Sequence, residues 1–352
     1  MHNMAKGDLN YVCPLTHSPL RVESDTLRSA SGGVVYRLVA GIPQFLRFSP
    51  AENGEAQSQL DQLNQLAKVS GWRTALHSVY GENASFLRYV ANEARASFIK
   101  LLPLTKRSDV LEIGPGLGQF TSYLASRAKS VYALEVVAGQ AAFTAERCRQ
   151  EGMSNVHVAT GGDDCRLPYP NEMFDVVIVN LVLEWCASRC LDEDIIDVQR
   201  RFLVEICRVL KRGGVLYLAT KNRFALRHLI GKRDPHCHGI RFGSALPRWL
   251  ALLLIRLKGH TRPLGMLHSH RALAAMLHGA GFGRADSFWA TPEMRYPTHY
   301  VPTDATSILE ARRQAGFVQG ESRSTRLLMQ FIPASLVKHI TPGLAFLATK
   351  PY

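Results

Sequence analysis

From Asp109 to Thr220, short apolar runs alternate with stretches of helical spacing. Val110-Leu111-Glu112-Ile113 reads as a short buried strand, followed by a glycine-rich turn and a helix over 119–127. Ser130–Glu135, Asn155–Thr160 and Phe174–Leu181 read as further strands, with a helix over 139–151 between the first two. The run over 174–181 is apolar almost throughout, as a strand covered on both faces should be. Val198, Phe202, Ile206, Val209 and Leu210 define one face of a long helix. Lys211-Arg212 and Gly213-Gly214 end it, with cations at the negative helix end and glycine for a left-handed cap. Val215–Thr220 is a fifth strand. A helix over 270–279 and strands over 282–289 and 343–349 resume the pattern. Such alternation predicts an α/β fold with a doubly wound sheet.

The flanks differ. Residues 1–50 are rich in turns and β-branched residues, with Val34–Val39 alternating between Gly32-Gly33 and Gly41-Ile42-Pro43, which predicts a small β module. Residues 51–108 are expected to be helical: Leu60, Leu63 and Leu66 are spaced for a helix, others are expected over 71–80 and 85–102, and Pro103 ends the last. The chain of 352 residues therefore divides into 1–50, 51–108, a core at 109–220, a basic insert at 221–268, and 269–352 with a lid insertion at 291–340.

Composition narrows the class. The longest unbroken apolar run, Trp249–Ile255, is far below the roughly 20 residues of a membrane-spanning helix. No apolar stretch of signal-peptide type follows Met1, and seven scattered cysteines do not form a disulfide framework, so a cytoplasmic protein is expected. The formal charge is +13, and residues 221–262 hold ten Lys and Arg against one acid, Asp234. Such an excess predicts an anionic partner.

The turn reads Glu112-Ile113-Gly114-Pro115-Gly116-Leu117-Gly118-Gln119. Glycines let a backbone bend sharply and approach a ligand at a helix N-terminus. The third glycine is one position early for the dinucleotide fingerprint. Glu135 ends the second strand, 21 positions after Gly114, where a carboxylate can accept from two ribose hydroxyls. Asp163 and Asp164 follow the third strand, where an acid can accept from an adenine amino group.

These stretches, with Gly162–Phe174, Asp175–Trp185 and Arg208–Thr220, resemble the class I S-adenosylmethionine-dependent methyltransferases. The resemblance implies a Rossmann-like sheet of seven strands and S-adenosylmethionine as cofactor. It implies that Glu112, Gly114, Gly116 and Gly118 hold the methionine part, Glu135 the ribose, and Asp163 the adenine amino group with Asp164 beside the ring. Asn180 and Leu181 would line the mouth after the fourth strand. Trp185 stands where many relatives carry a histidine. The first 50 residues resemble a zinc-ribbon-like methyltransferase activator module in degenerate form. Its metal form uses two Cys-x-x-Cys pairs; here Cys13 faces Thr16 in the motif, and the second pair falls at Ser29 and Gly32, so no metal is expected.

Eight of the 13 histidines lie between His228 and His299. Methyl transfer to a hydroxyl needs an aligned nucleophile and a proton acceptor, and a near-neutral histidine suits the second task. Asp234 with His236 is the first candidate for a catalytic pair. His268, His270, His299 and Arg223 are candidates for acceptor binding. The expected activity is methyl transfer to a small or lipid-linked anionic acceptor, with the insert as a lid and a peripheral membrane contact through 246–258. Two alternatives stay open: an RNA methyltransferase, and a non-catalytic cofactor-binding activator of another protein.

Overall fold

The computed structural model describes residues 10–48, 54–291, 294–314 and 330–352. The first nine residues, the start of the expected helical segment at 51–53, and 292–293 and 315–329 of the expected lid insertion lie outside them. The chain forms two compact units, one of residues 1–178 and 205–214, the other of 179–204 and 215–352.

The first unit opens with an antiparallel meander: β1 (Leu20–Glu23), β2 (Thr26–Ser29), β3 (Val35–Val39) and β4 (Ile42–Gln44). Helices α1 (Gly54–Ser70), α2 (Trp72–Tyr80) and α3 (Ala84–Ala91) follow. The single helix expected over 85–102 is interrupted. Asn92 is extended, its side chain accepts from the Ala94 N–H, and a 3-10 segment, Glu93–Leu101, begins there. An asparagine side chain competing for the backbone explains the break. Leu60, Leu63, Trp72 and Leu76 pack on Phe143 and Leu117, so these helices cover the glycine turn's own helix layer.

Next come β5 (Asp109–Ile113), α4 (Thr121–Ala125), β6 (Ser130–Glu135), α5 (Ala138–Gln150), β7 (Val156–Thr160) and β8 (Phe174–Asn180). Within this unit the strand order is β1-β2-β3-β4-β7-β6-β5, with β5, β6 and β7 parallel. The meander joins by a parallel pairing of β4 to β7 at Gln44 and Thr160. Tyr11 reinforces it, its ring packing on Phe45, Tyr132 and Tyr169.

The boundary between units falls within β8, within α6 (Ile195–Val209) and within β9 (Leu210–Lys221). Strand β9 begins directly after the helix, five residues earlier than the spacing predicts, with Gly213 left-handed at φ 73°. The second unit holds a helical turn α7 (Leu226–Leu229), a two-stranded β10 (Arg233–Asp234) and β11 (Ile240–Arg241), α8 (Arg248–Leu257), α9 (His270–Gly279), β12 (Arg284–Thr291), β13 (His299–Pro302), α10 (Ala305–Arg313), a helix at Ala334–Ile340 and β14 (Gly343–Thr349). Its strand order is β9-β14-β12-β13, with β14 antiparallel to both neighbours. Strands alternate with helices through both units, the α/β class that the sequence predicts.

In the meander, Cys13 Sγ lies 3.1 Å from Tyr36 Oη. The hydroxyls of Thr16, Ser18, Ser29 and Ser31 form a connected network with O···O distances of 2.5–3.4 Å. No cluster of metal-ligating side chains occurs among the described residues. Hydroxyl oxygens that satisfy one another are poor zinc ligands beside thiolates. Elemental analysis of the purified chain is expected to find no stoichiometric zinc; one zinc per chain would overturn this account of the module.

Candidate cofactor site and a buried Asp–His pair

The glycine turn is shaped by three left-handed residues: Gly114 at φ 74°, Gly116 at φ 59° and Gly118 at φ 73°. A side chain at any of them would be strained. Substitution would also crowd neighbours, since a Cβ at Gly118 would stand 3.2 Å from Thr144 Cγ2. Thr144 Oγ1 donates to the Gly116 carbonyl at 2.9 Å, and Arg147 donates to the Leu117 carbonyl at 3.1 Å with its guanidinium over the Trp72 ring. Thus α5 and α2 fix the turn from behind.

Glu135 fixes it from the front. Its Oε2 accepts from the Gly116 N–H at 2.9 Å, and its Oε1 accepts from the N–H groups of Val136 and Val137 at 2.8 and 3.1 Å. Glu112 is buried in β5. Its Oε2 accepts from Thr121 Oγ1 at 2.7 Å, and its Oε1 has no partner among the described residues. Burial pushes the Glu112 carboxyl up to about 7, against the Thr121 hydrogen bond, with the Glu135 charge adding to the rise. The raised value means that ionising Glu112 destabilises the folded chain increasingly as pH climbs from its ordinary range through about 7.

Asp163 and Asp164 follow β7. Asp163 accepts from the backbone N–H groups of Arg47 and Phe48 at 2.8–3.1 Å, so it holds the end of the meander. Asp164 accepts from the Arg166 N–H at 3.1 Å and pairs with the Arg47 and Arg166 side chains at 3.6 and 3.5 Å. Arg47 and Phe48 escaped the sequence reading because they stand 116 and 115 positions from Asp163.

In the second unit, Asn180 closes β8, and Leu181 is left-handed at φ 60°, an uncommon state for a branched residue, with its N–H donating to the Ala219 carbonyl. The expected pair of Asp234 and His236 is formed: Asp234 Oδ1 lies 2.9 Å from His236 Nδ1, both side chains buried. Asp234 also accepts from the Ser244 N–H at 2.8 Å, and His228 Nδ1 stands 3.6 Å away. Burial acts to raise the Asp234 carboxyl, but the hydrogen bonds from His236 and Ser244 outweigh it and hold the group well below the usual range. His236 Nε2 is buried without a partner among the described residues, and the ring lies 4.8 Å from that of Trp185.

Glu184, Lys221 and His228 complete this neighbourhood, and sequence reasoning missed them. Glu184 Oε2 accepts from Thr220 Oγ1 at 2.8 Å, while its Oε1 is buried without a partner among the described residues. Burial raises its carboxyl, opposed by its own backbone N–H, Thr220, Lys221 and His236. Lys221 Nζ lies 6.0 Å from the Trp185 ring centre. The signal available in the sequence was position alone: Glu184 lies four positions beyond the end of β8, and Lys221 is the last residue of β9.

The other candidates lie apart from this pair. His268 Nε2 is 2.6 Å from Gln199 Oε1, and burial with nearby arginines pushes its imidazole down to about 4. His270 Nε2 is 2.8 Å from Ser287 Oγ at the start of α9, and burial pushes it down to about 4 as well. His299 is exposed on β13, 3.0 Å from Thr298 Oγ1. Arg223 donates to the Ser244 and Leu246 carbonyls at 2.7 Å, which ties the insert together. His238 turns away from Asp234 and meets the Arg262 carbonyl at 2.9 Å.

Residues 111–218 match the family model described as a methyltransferase domain. The bifunctional biotin biosynthesis protein BioHC of Cellvibrio japonicus is 30% identical over 145 residues, which cover 40% of this chain and 26% of that one. The malonyl-[acyl-carrier protein] O-methyltransferase of Pectobacterium atrosepticum is 26% identical over 151 residues, 42% of this chain and 53% of that one. The chain thus spans about half or less of the length of these curated relatives. A Haemonchus contortus phosphoethanolamine N-methyltransferase, solved with phosphomonomethylethanolamine and S-adenosylhomocysteine, is 16% identical with a TM-score of 0.46 over 84% of this chain and 60% of that one.

The glycine turn adjoins an unmet buried acceptor. A buried carboxylate oxygen with no partner calls for a donor from a ligand, and Glu112 Oε1 is such an atom. Two outcomes are expected. Glu135→Ala weakens S-adenosylmethionine binding by about 1–3 kcal/mol in titration calorimetry, the loss of charged hydrogen bonds. Affinity rises as pH is raised through about 7, because a cationic ligand favours ionised Glu112; Glu112→Gln flattens that dependence. Unchanged affinity in the first variant would remove Glu135 from the site.

Proposed function

We propose that this chain transfers a methyl group from S-adenosylmethionine to a hydroxyl of a small or lipid-linked anionic acceptor, with His236 as the proton acceptor. The observation that carries the reading is the buried Asp234–His236 pair, whose second imidazole nitrogen has no partner among the described residues. The cofactor, when bound, supplies an electrophilic methyl group. Glu112, Gly114, Gly116, Gly118 and Glu135 would hold it, with Asp163 and Asp164 on its adenine side.

The chemistry of the pair follows from its hydrogen bonds. Ionised Asp234 accepts from Nδ1–H, which fixes the tautomer and leaves the lone pair on Nε2. Nε2 would take the proton of an acceptor hydroxyl, while the cofactor would give up its methyl group by breaking its carbon–sulfur bond and leave as the neutral thioether. Asp234 then stabilises the imidazolium without itself taking the proton. Trp185 sets the plane of the ring by packing against it. The net positive charge of the insert favours an anionic acceptor, and residues 246–258 provide the contact if that acceptor is membrane-borne.

The test uses methyl-labelled S-adenosylmethionine and a lysate of a strain lacking the gene, separated into lipid, small-molecule, RNA and protein fractions. Label is expected in the lipid or small-molecule fraction, and RNase-sensitive label would overturn the acceptor class. His236→Asn is expected to lower turnover by about 10²-fold or more with cofactor affinity unchanged. Full turnover in that variant would remove His236 from the mechanism.

A further inference from the structure

Helix α8 is built the wrong way round for a helix facing water. Ala251 and Ile255 are buried, and Ile255 packs with Cys237, Ile240 and Leu254. The exposed side is also apolar. Trp249 is 70% exposed, Leu253 48% and Leu257 75%. These residues recur at steps of four, so they lie in one stripe along the helix. Scattered exposed apolar residues need no explanation, but an aligned tryptophan and two leucines do.

Charge on the helix itself is of one sign, while Asp194 lies near Arg248 at its N-terminal end. Arg248, Arg256 and Lys258 are exposed on the same helix and its cap. No Asp or Glu occurs between Asp234 and Asp286. A second hollow feature adjoins the helix. A cavity of about 450 Å³ is lined by Trp249, Leu252, Ile255 and Met266, with Arg223 and Arg248, and also Glu193 and Asp194, among its walls. Trp249 belongs to both the stripe and the cavity lining. α8 itself, ten residues long, cannot cross a bilayer.

We propose that α8 docks this chain on an anionic lipid bilayer, with Trp249, Leu253 and Leu257 in the headgroup boundary and Arg248, Arg256 and Lys258 on lipid phosphates. An amphipathic helix with basic flanks and a tryptophan on its apolar face is suited to that boundary, and anionic lipid attracts each nearby cation. The cavity then receives an apolar chain drawn from the same surface. This deepens the acceptor reading above and rests on it only for the claim that the docked lipid leads to the acceptor; docking itself needs no turnover.

The experiment is sedimentation of the full chain with vesicles of phosphatidylcholine alone and with added phosphatidylglycerol. Binding is expected only with the anionic lipid, weakened about tenfold or more by Trp249→Ser with Leu257→Ser, and weakened by salt. Both substitutions are at exposed positions, and an unchanged melting curve confirms folding. Fluorescence of Trp249, isolated by comparison with Trp249→Phe, should shift to the blue on binding. Equal sedimentation of wild type and double variant overturns the proposal. So does a dimer in lipid-free solution that Leu257→Ser dissolves, since the stripe would then belong to a second copy. Because no acceptor or cofactor is present, failure here leaves the methyl-transfer reading untouched, and failure of methyl transfer leaves this result standing.

Discussion

The cofactor end of the molecule depends on one buried carboxylate. Glu135 takes three backbone N–H groups, one from the glycine turn and two from the chain that leaves its own strand. A turn with three left-handed glycines has little conformational preference of its own. It needs an anchor, and the anchor is the same group that would meet a ribose. In the proposed site, structure and ligand recognition would draw on the same oxygens. The arrangement is preorganised, because the anchor is in place before a ligand arrives.

The meander at the N-terminus is held by a similar economy. Asp163 accepts from two backbone N–H groups of residues 47 and 48, immediately beyond the β4–β7 pairing. The module is thereby continuous with the sheet that carries the cofactor acids, through main-chain pairing and the ring cluster around Tyr11. Within the module, a hydroxyl network and a Cys13–Tyr36 contact tie the loops together. A small β module has too little core to stand by itself, so the edge pairing and the aromatic cluster supply the burial that it lacks.

The sequence was most legible where burial is two-sided. The runs at 110–113, 130–135 and 174–180 are short and apolar, and each is a strand within a residue of its expected limits. Legibility fell where a side chain overrides periodicity, as at Asn92, and where a helix gives way to a strand without a loop, as at Leu210. In the candidate site, the pairing of Asp234 with His236 was readable because the two are adjacent in sequence and a proline between them forces a turn. Glu184 and Lys221 were not, since nothing in a lone acid or lysine marks it as buried. Asp163 illustrates the limit of spacing arguments: its position after β7 was evident, while its backbone partners lie more than a hundred residues away.

The large positive charge has a divided use that composition alone conceals. Arg223 and Arg262 turn inward and cap five main-chain carbonyls between them, Ser244 and Leu246 for the first, Ala187, Cys190 and Leu191 for the second. Arg208 does the same in the other unit, donating to the carbonyls of Leu167 and Tyr169 while pairing with Glu205. These cations are fastenings for loops that lack regular backbone pairing, and they cannot also read a partner. An irregular insert of this size carries many carbonyls that water or a donor must satisfy, and guanidinium groups with several donors meet that need efficiently. The charge left for an external anion is therefore smaller than +13 implies. It is concentrated on elements such as α8, where the cations are exposed and stand beside apolar residues. That pairing of charge with apolar surface distinguishes a lipid-facing helix from a nucleic-acid surface, which would need stacking aromatics or a groove of cations alone.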